Sequence, residues 1–334
     1  MNDITEQKNP LSDSEICSVA YRKGKTVKKV TLDDISEVIK EPDTFIWLGL
    51  VQPDNDYMRR IQQEFGLHDL AIEDALTAHQ RPKIEQYGES LFIVVKTAEL
   101  KGDVIKYGET HLFVGKNFLI TVRHGASASY ADVRKKAEEC PDLLAMGSGY
   151  ALYAILDMIV DNYLAILHKY TERFQHIEQQ MFKSEFNQSA VHQVYRLRRE
   201  LLSLHNAALP MGDICNQLMQ HHEAIIPDAL RAYLRDVHDH ANQVVTTTDD
   251  TREMLANAMH VNLALVSVHQ NEVVQRLAGW GAILAIPTVI FSLYGMNFKD
   301  MPELNDSWGY PLTLGITVVA CVALYIKLKK SGWL

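Results

Sequence analysis

The sequence predicts an α+β domain, a mixed sheet flanked by helices, followed by a very long stalk helix and a two-helix transmembrane hairpin. Three observations predict it. Short strand-like and helix-like segments alternate over about residues 15–125, with β-branched and aromatic residues in the strands and polar turns between them. No proline falls between Pro227 and Pro287, and the first glycine after Pro227 is Gly279, so a single helix is expected there. Two stretches without a charged residue, 277–298 and 307–326, follow. Each is near the roughly 20 residues needed to cross about 30 Å of hydrocarbon.

Taken in order, residues 1–13 are polar and expected to be loosely held. Segments 18–22, 26–32 and 44–51 read as strands, and 54–65 as a helix after the turn-forming Gln52-Pro53. Residues 90–98, 111–114 and 117–122 read as further strands. This mixed order argues against a doubly wound sheet. From about residue 149, segments 152–183 and 188–205 carry apolar residues at helical spacing. A helix of roughly sixty residues or more, at about 1.5 Å each, reaches about 90–100 Å, longer than any globular core. The predicted division is an α/β region over 1–148, a helical hairpin region over 149–226, and a stalk helix over 227–298 that continues into a first span at about 277–297. An external loop at 299–309, a second span at 310–328 and a tail at 329–334 complete it.

Composition excludes several classes. The 334 residues carry a net charge of -9, which argues against nucleic acid, whose binding needs basic patches. The mean hydropathy of -0.12 describes a largely soluble chain with an apolar end. Cys17, Cys140, Cys215 and Cys321 form no CxxC pair, so neither a zinc knuckle nor a disulfide framework is expected. The polar N-terminus has no apolar core of a signal peptide, so membrane insertion is expected to use internal segments. No Gly-rich phosphate loop, HExxH or GxSxG string occurs, which leaves enzymatic readings without a motif.

Charges flanking the apolar stretches set the topology. Arg276 precedes the first, and Lys327, Lys329 and Lys330 follow the second; the connection between them carries Asp300, Glu303 and Asp306 against one lysine. The positive-inside rule places both termini in the cytoplasm and the short connection outside. Asn271, Val274, Leu277, Gly281, Ala285, Thr288 and Ser292 recur at intervals of three or four and share one helix face. Its membrane half is small or hydroxylated, as close helix packing or a pore lining requires. Neither apolar stretch contains a charged residue, so an ion crossing there meets neutral oxygens and keeps much of its water, as magnesium prefers. Two helices cannot enclose a water-filled path, so conduction requires an oligomer.

The string Tyr294-Gly295-Met296-Asn297-Phe298, followed by Met301-Pro302-Glu303-Leu304 and Gly309-Tyr310-Pro311, resembles the outer loop of the CorA magnesium transporter family. Ile72-Glu73-Asp74 with His79-Gln80-Arg81-Pro82-Lys83 looks like that family's cytosolic signature, and 233–240 like its stalk helix. The likeness covers about 45–334. It implies a pentameric funnel, a homopentamer in the lipid of an inner (plasma) membrane whose first span lines the pore. It also implies divalent cations as cargo, with Mg2+ both transported and regulatory and no organic cofactor. Gly295, Met296 and Asn297 match the selectivity filter, with Glu303 in the external loop. Asn271, Val274 and Leu277 match the pore neck. Asp74 and Asp236 match the positions where family members bind regulatory magnesium between subunits, a bridge that would lock the closed state. The chain departs from better-known members at Val274, where a bulkier methionine can occur, and at His260, where some carry an acid. Cobalt and nickel are further expected cargoes. Alternatives are the related zinc transporter branch, which the fourteen histidines invite, and a membrane-tethered sensor that conducts nothing.

Overall fold

The structure, a computed structural model, describes residues 16–182, 188–296, 301 and 306–334. It contains two compact units. The first comprises the described residues up to Gln179 together with Ser189–Leu255; the second comprises those within Gln180–Gln188 and Ala256–Leu334.

The first unit is built on seven strands: β1 (Ile16–Arg22), β2 (Lys25–Lys29), β3 (Thr44–Val51), β4 (Lys83–Tyr87), β5 (Ser90–Lys101), β6 (Val104–Gly115) and β7 (Phe118–Gly125). They form one mixed sheet in the order β2-β1-β3-β7-β6-β5-β4, in which only β3 and β7 pair in parallel. Tight connections hold the antiparallel pairs. Lys23 and Gly24 both take positive φ between β1 and β2, the backbone that a two-residue hairpin turn demands. Alternation along each strand divides its side chains between two faces. Ile46, Leu48, Leu50, Ile120 and Val122 meet Met58, Ile61 and Phe65 of α2 (Asn55–Phe65) and Ala71, Ile72 and Ala75 of α3 (Asp69–Leu76) in one buried cluster.

Asp54 caps α2 by accepting the Tyr57 N–H at 2.7 Å, and Gly66 ends it in the left-handed conformation. On the other face, α4 (Ala131–Glu138) sends Arg134 against Trp47, and α6 (Ser148–Phe182) bonds the Lys96 carbonyl through Tyr163. Short α1 (Ile35–Val38) and α5 (Pro141–Leu144) fill the connections. Arg173 of α6 lies 3.9 Å from Glu200 of α7 (Gln188–His221), and α8 (Asp228–Tyr294) begins in this unit.

The second unit contains the distal part of α8 and α9 (Gly309–Lys330). α6, α8 and α9 are all long and apolar enough to cross a membrane. Burial separates them. In α6, 56% of the most apolar window is covered by protein, against 6% in both α8 and α9. α6 is therefore a core helix, while the other two present their apolar side chains outward, which water would not tolerate.

The helix predicted from the proline-free stretch is one element from Asp228 to Tyr294, and it continues through Pro287. Strands 90–98 and 111–114 prove longer, as β5 and β6, because their charged ends pair in a hairpin that turns at Gly102. Strand β4 and helices α3 and α4 were not expected. The loosely held residues 1–13, and Asn297 and Glu303, lie outside the described residues.

Candidate functional site

The seven stripe residues of α8 fall within an arc of roughly 120° on a helix of 3.6 residues per turn. All seven are exposed. The opposite side is where α9 lies. Gly279 is buried, and a Cβ built on it would sit 3.3 Å from Leu334 and 3.7 Å from Leu328. Cys321 Sγ lies 3.7 Å from the Ile283 carbonyl, and the rings of Trp280 and Tyr325 are 6.3 Å apart. Ile286, Ile290 and Tyr294 continue that half-buried face.

By contrast, a Cβ added at Gly281 meets nothing within 4 Å. Within the chain, close hairpin packing uses Gly279, and the stripe faces away from it. Thr288 turns its hydroxyl to the Leu284 carbonyl at 2.8 Å, which satisfies the donor and leaves oxygen lone pairs outward.

α8 ends at Tyr294. The Gly295 N–H still reaches the Phe291 carbonyl at 2.9 Å and Met296 N–H the Leu293 carbonyl at 3.3 Å, so the final turn tightens. A Cβ at Gly295 would lie 3.2 Å from the Phe291 carbonyl oxygen, and a larger residue would crowd this turn. A cavity of about 340 Å³ opens beside it, between Phe291 and Tyr294 of α8 and Tyr310 and Thr313 of α9.

The two regulatory candidates belong to the first unit, and each already has a basic partner. Asp74, on α3, receives the Lys83 ammonium at 2.7 Å. Lys83 also meets Glu85 at 2.8 Å, and although burial alone would lower it, these two carboxylates hold its pKa above the ordinary lysine value. Asp236, on α8, is 61% exposed and lies 3.8 Å from His240 one turn on. No bond joins the two carboxylates within one chain. Among the described residues, no group of three or more His, Cys, Asp or Glu is gathered to hold a metal ion.

Sequence reading missed Asp157, on α6. Burial first, then the charges of Asp161 and Asp236, push its carboxyl up to about 6, against a weaker pull from His240 and Lys136. Asp157, Asp161 and Asp236 thus crowd negative charge in one region of the first unit, only partly offset by His240 and Lys136. The i, i+4 spacing of Asp157 and Asp161 was visible, but not that α8 brings a third carboxylate to the same place.

Glu109, on β6, is nearly enclosed at 3% side-chain exposure. It accepts the Lys96 ammonium at 2.6 Å and the His79 N–H at 2.5 Å, and His111 lies 3.4 Å away. Burial would raise its pKa, but His111, Lys96 and His79 outweigh that and hold it at about 2. A depressed carboxyl stabilises the fold above its unfolded pKa and loses that contribution as pH falls through the folded one. The shift corresponds to about 3 kcal/mol at neutral pH. The Tm advantage of the unaltered protein over Glu109→Gln is expected to be flat above about pH 5.5 and to shrink from about pH 4.5 downward. A constant gap down to pH 3.5 in thermal melts would contradict this account.

Comparison with known proteins gives four matches. A family profile described as CorA-like Mg2+ transporter protein matches residues 42–330. The cobalt/magnesium transport protein CorA of Thermotoga maritima is 28% identical over 307 residues, spanning 90% of this chain and 87% of that protein. Among solved structures, the complete CorA magnesium transporter of Methanocaldococcus jannaschii matches at a TM-score of 0.78 and 19% identity, covering 95% of this chain and 99% of that one. The cytoplasmic domain of ZntB from Vibrio parahaemolyticus matches at 0.55 and 10%, covering 69% and 96%.

Proposed function

Because the chain belongs to the CorA-like Mg2+ transporter protein family, we propose that it is a divalent-cation channel, with magnesium as its main cargo. Cobalt and nickel are further cargoes, and conduction occurs as a homopentamer in a plasma membrane. The observation that carries this reading is the stripe from Asn271 to Ser292, exposed along its whole length and turned away from the hairpin partner. Five such faces around an axis make a path of small side chains and hydroxyl oxygens, too neutral to strip a magnesium ion of its water. The path leads to Gly295 and Met296 at the helix end, and Asn297 follows in sequence. A ring of five Asn297 amides offers acceptors to the water held by the ion. Val274 and Leu277 form an apolar neck that gates by dewetting.

Regulation follows from the carboxylates. A divalent ion between Asp74 of one subunit and Asp236 of the next offsets the repulsion that raises Asp157, and its loss frees the subunits to move. Lys83 competes with the ion for Asp74 and has Glu85 as a second partner to which it can retreat.

Influx into proteoliposomes holding a magnesium dye tests the function, with cobalt, nickel and zinc as competitors. Magnesium flux supports the reading, and zinc flux without magnesium flux moves the protein to the zinc branch. Absence of any flux leaves a tethered sensor. In the same assay Asp236→Lys is expected to keep conducting at internal magnesium that closes the unaltered channel, and unchanged closure would remove Asp236 from the switch. Asp157→Asn should stabilise the protein in magnesium-free buffer by about 2 kcal/mol or less, read as a higher Tm, and shrink the stabilisation that magnesium adds.

A further inference from the structure

The string His79-Gln80-Arg81-Pro82 takes no part in the ion path, yet it walls a cavity of about 650 Å³ in the first unit, on the Glu109 side of the sheet. We propose that this cavity binds a small organic anion carrying carboxylate or phosphate oxygens, with Arg81 as its principal contact.

The charge balance points to an anion. Arg81 and Lys96 are the cations that line the cavity against a single carboxylate, Glu109, while burial lowers the pKa of His124 and keeps that ring neutral. Glu109 is already saturated by Lys96 and by the His79 N–H. That leaves Arg81, for which no carboxylate partner occurs among the described residues, as the uncompensated charge. Arg81 is exposed, so it brings a solvent-accessible positive charge to the cavity wall in a chain of net charge -9. A guanidinium presents a planar fork of donors that fits carboxylate or phosphate oxygens two at a time. Asn206 and Ser203 of α7 add neutral polar groups from the opposite wall.

The loop is also shaped for the task. His79 has φ 75°, a left-handed backbone uncommon for a residue with a Cβ. Its N–H donates to Glu109 at 2.5 Å. The buried ion network therefore fixes the loop that carries Arg81, rather than offering itself to a ligand. Gly108 and Gly125 pair across β6 and β7 and line the cavity, where a Cβ on Gly108 would strike the Ala126 carbonyl oxygen at 2.4 Å, so close backbone packing requires glycine there. The volume suits a molecule larger than an isolated phosphate ion. A metal ion is the poorer occupant, because among the described residues no three ligating side chains converge.

A ligand here would act on the segment that bears Asp74. His124 bonds the Ala75 carbonyl at 2.9 Å, and Lys83, one residue past the loop, holds Asp74 itself. Binding is nonetheless read without flux, so the proposal stands or falls apart from the channel reading.

The test is isothermal titration of the full-length protein in detergent, magnesium-free and at matched sodium chloride, with inorganic phosphate, citrate and adenosine monophosphate as probes. At least one is expected to saturate with a Kd below about 1 mM and to raise the Tm. Arg81→Gln should weaken it at least tenfold, and Arg81→Lys, which keeps the charge but loses the fork, should fall between. Arg60→Gln, which breaks a surface pair with Asp33, should bind as the unaltered protein does. Response to phosphate and the nucleotide but not citrate assigns a phosphate ligand, and the reverse assigns a carboxylate. Failure of all three probes to saturate, or equal binding by Arg81→Gln, overturns the proposal.

Discussion

Asn297→Ala is expected to lower magnesium flux by two to three orders of magnitude while leaving the protein folded and inserted. The loss follows from arithmetic. A net hydrogen bond contributes about 1 kcal/mol, and a hundred- to thousandfold effect needs only about 3–4 kcal/mol shared over five amides. Alanine leaves first-shell water of the ion without acceptors at the mouth, and a hydrated magnesium ion gives up that water reluctantly. Asn297→Asp is the informative companion, since it restores acceptor oxygens and adds charge. It should recover flux above the alanine variant and bind the ion longer. Single-channel or dye-influx records on matched amounts of inserted protein decide this. Flux from Asn297→Ala within a factor of about three of the unaltered protein would mean that selection occurs elsewhere on the path.

The second large effect comes from two glycines on opposite sides of α8. Gly281→Val should fold normally, because the space beyond that position is empty, and valine is a better helix residue than glycine. In a pentamer it would put five branched side chains into the path, and flux should fall at least about tenfold with unchanged Tm, the signature of a steric block rather than unfolding. Gly279→Val should do the reverse. Its Cβ would press Leu334 at 3.3 Å and its methyls would come closer still, an overpacking cost of about 1–3 kcal/mol that lowers Tm and yield. If Gly281→Val conducts like the unaltered protein, the stripe does not line the path. Equal destabilisation by both variants would mean that the stripe is a packing surface.

Part of this was legible in the sequence and part was not, for physical reasons. β3 was read to the residue, because a β-rich run bounded by Pro42-Asp43 and Gln52-Pro53 has few other solutions. The long helix was legible from the absence of breakers. Helices α3 and α4 were missed because each is only eight residues long, too short for a stable period. β5 and β6 were read short because Glu99, Lys101, Lys106 and Glu109 look like turn residues until a cross-strand partner is known. For the site, helical spacing put the stripe on one face, but nothing in the spacing said which face α9 covers. The pairing of Asp74 with Lys83, and the approach of Asp236 to Asp157, depend on chain segments distant in sequence. Their electrostatics became readable only with the fold.

Helix α6 has a consequence for how the chain is made. It is apolar and long enough for a membrane span, yet more than half of its most apolar window is buried by protein. It leaves the ribosome roughly a hundred residues ahead of the apolar half of α8, about 5–20 s at ordinary rates of synthesis. During that interval the insertion machinery meets a segment that its composition tests would accept. The sheet that covers α6 is already made by then, since every one of its strands precedes Ser148. The order of elements along the gene thus gives folding a head start over misinsertion.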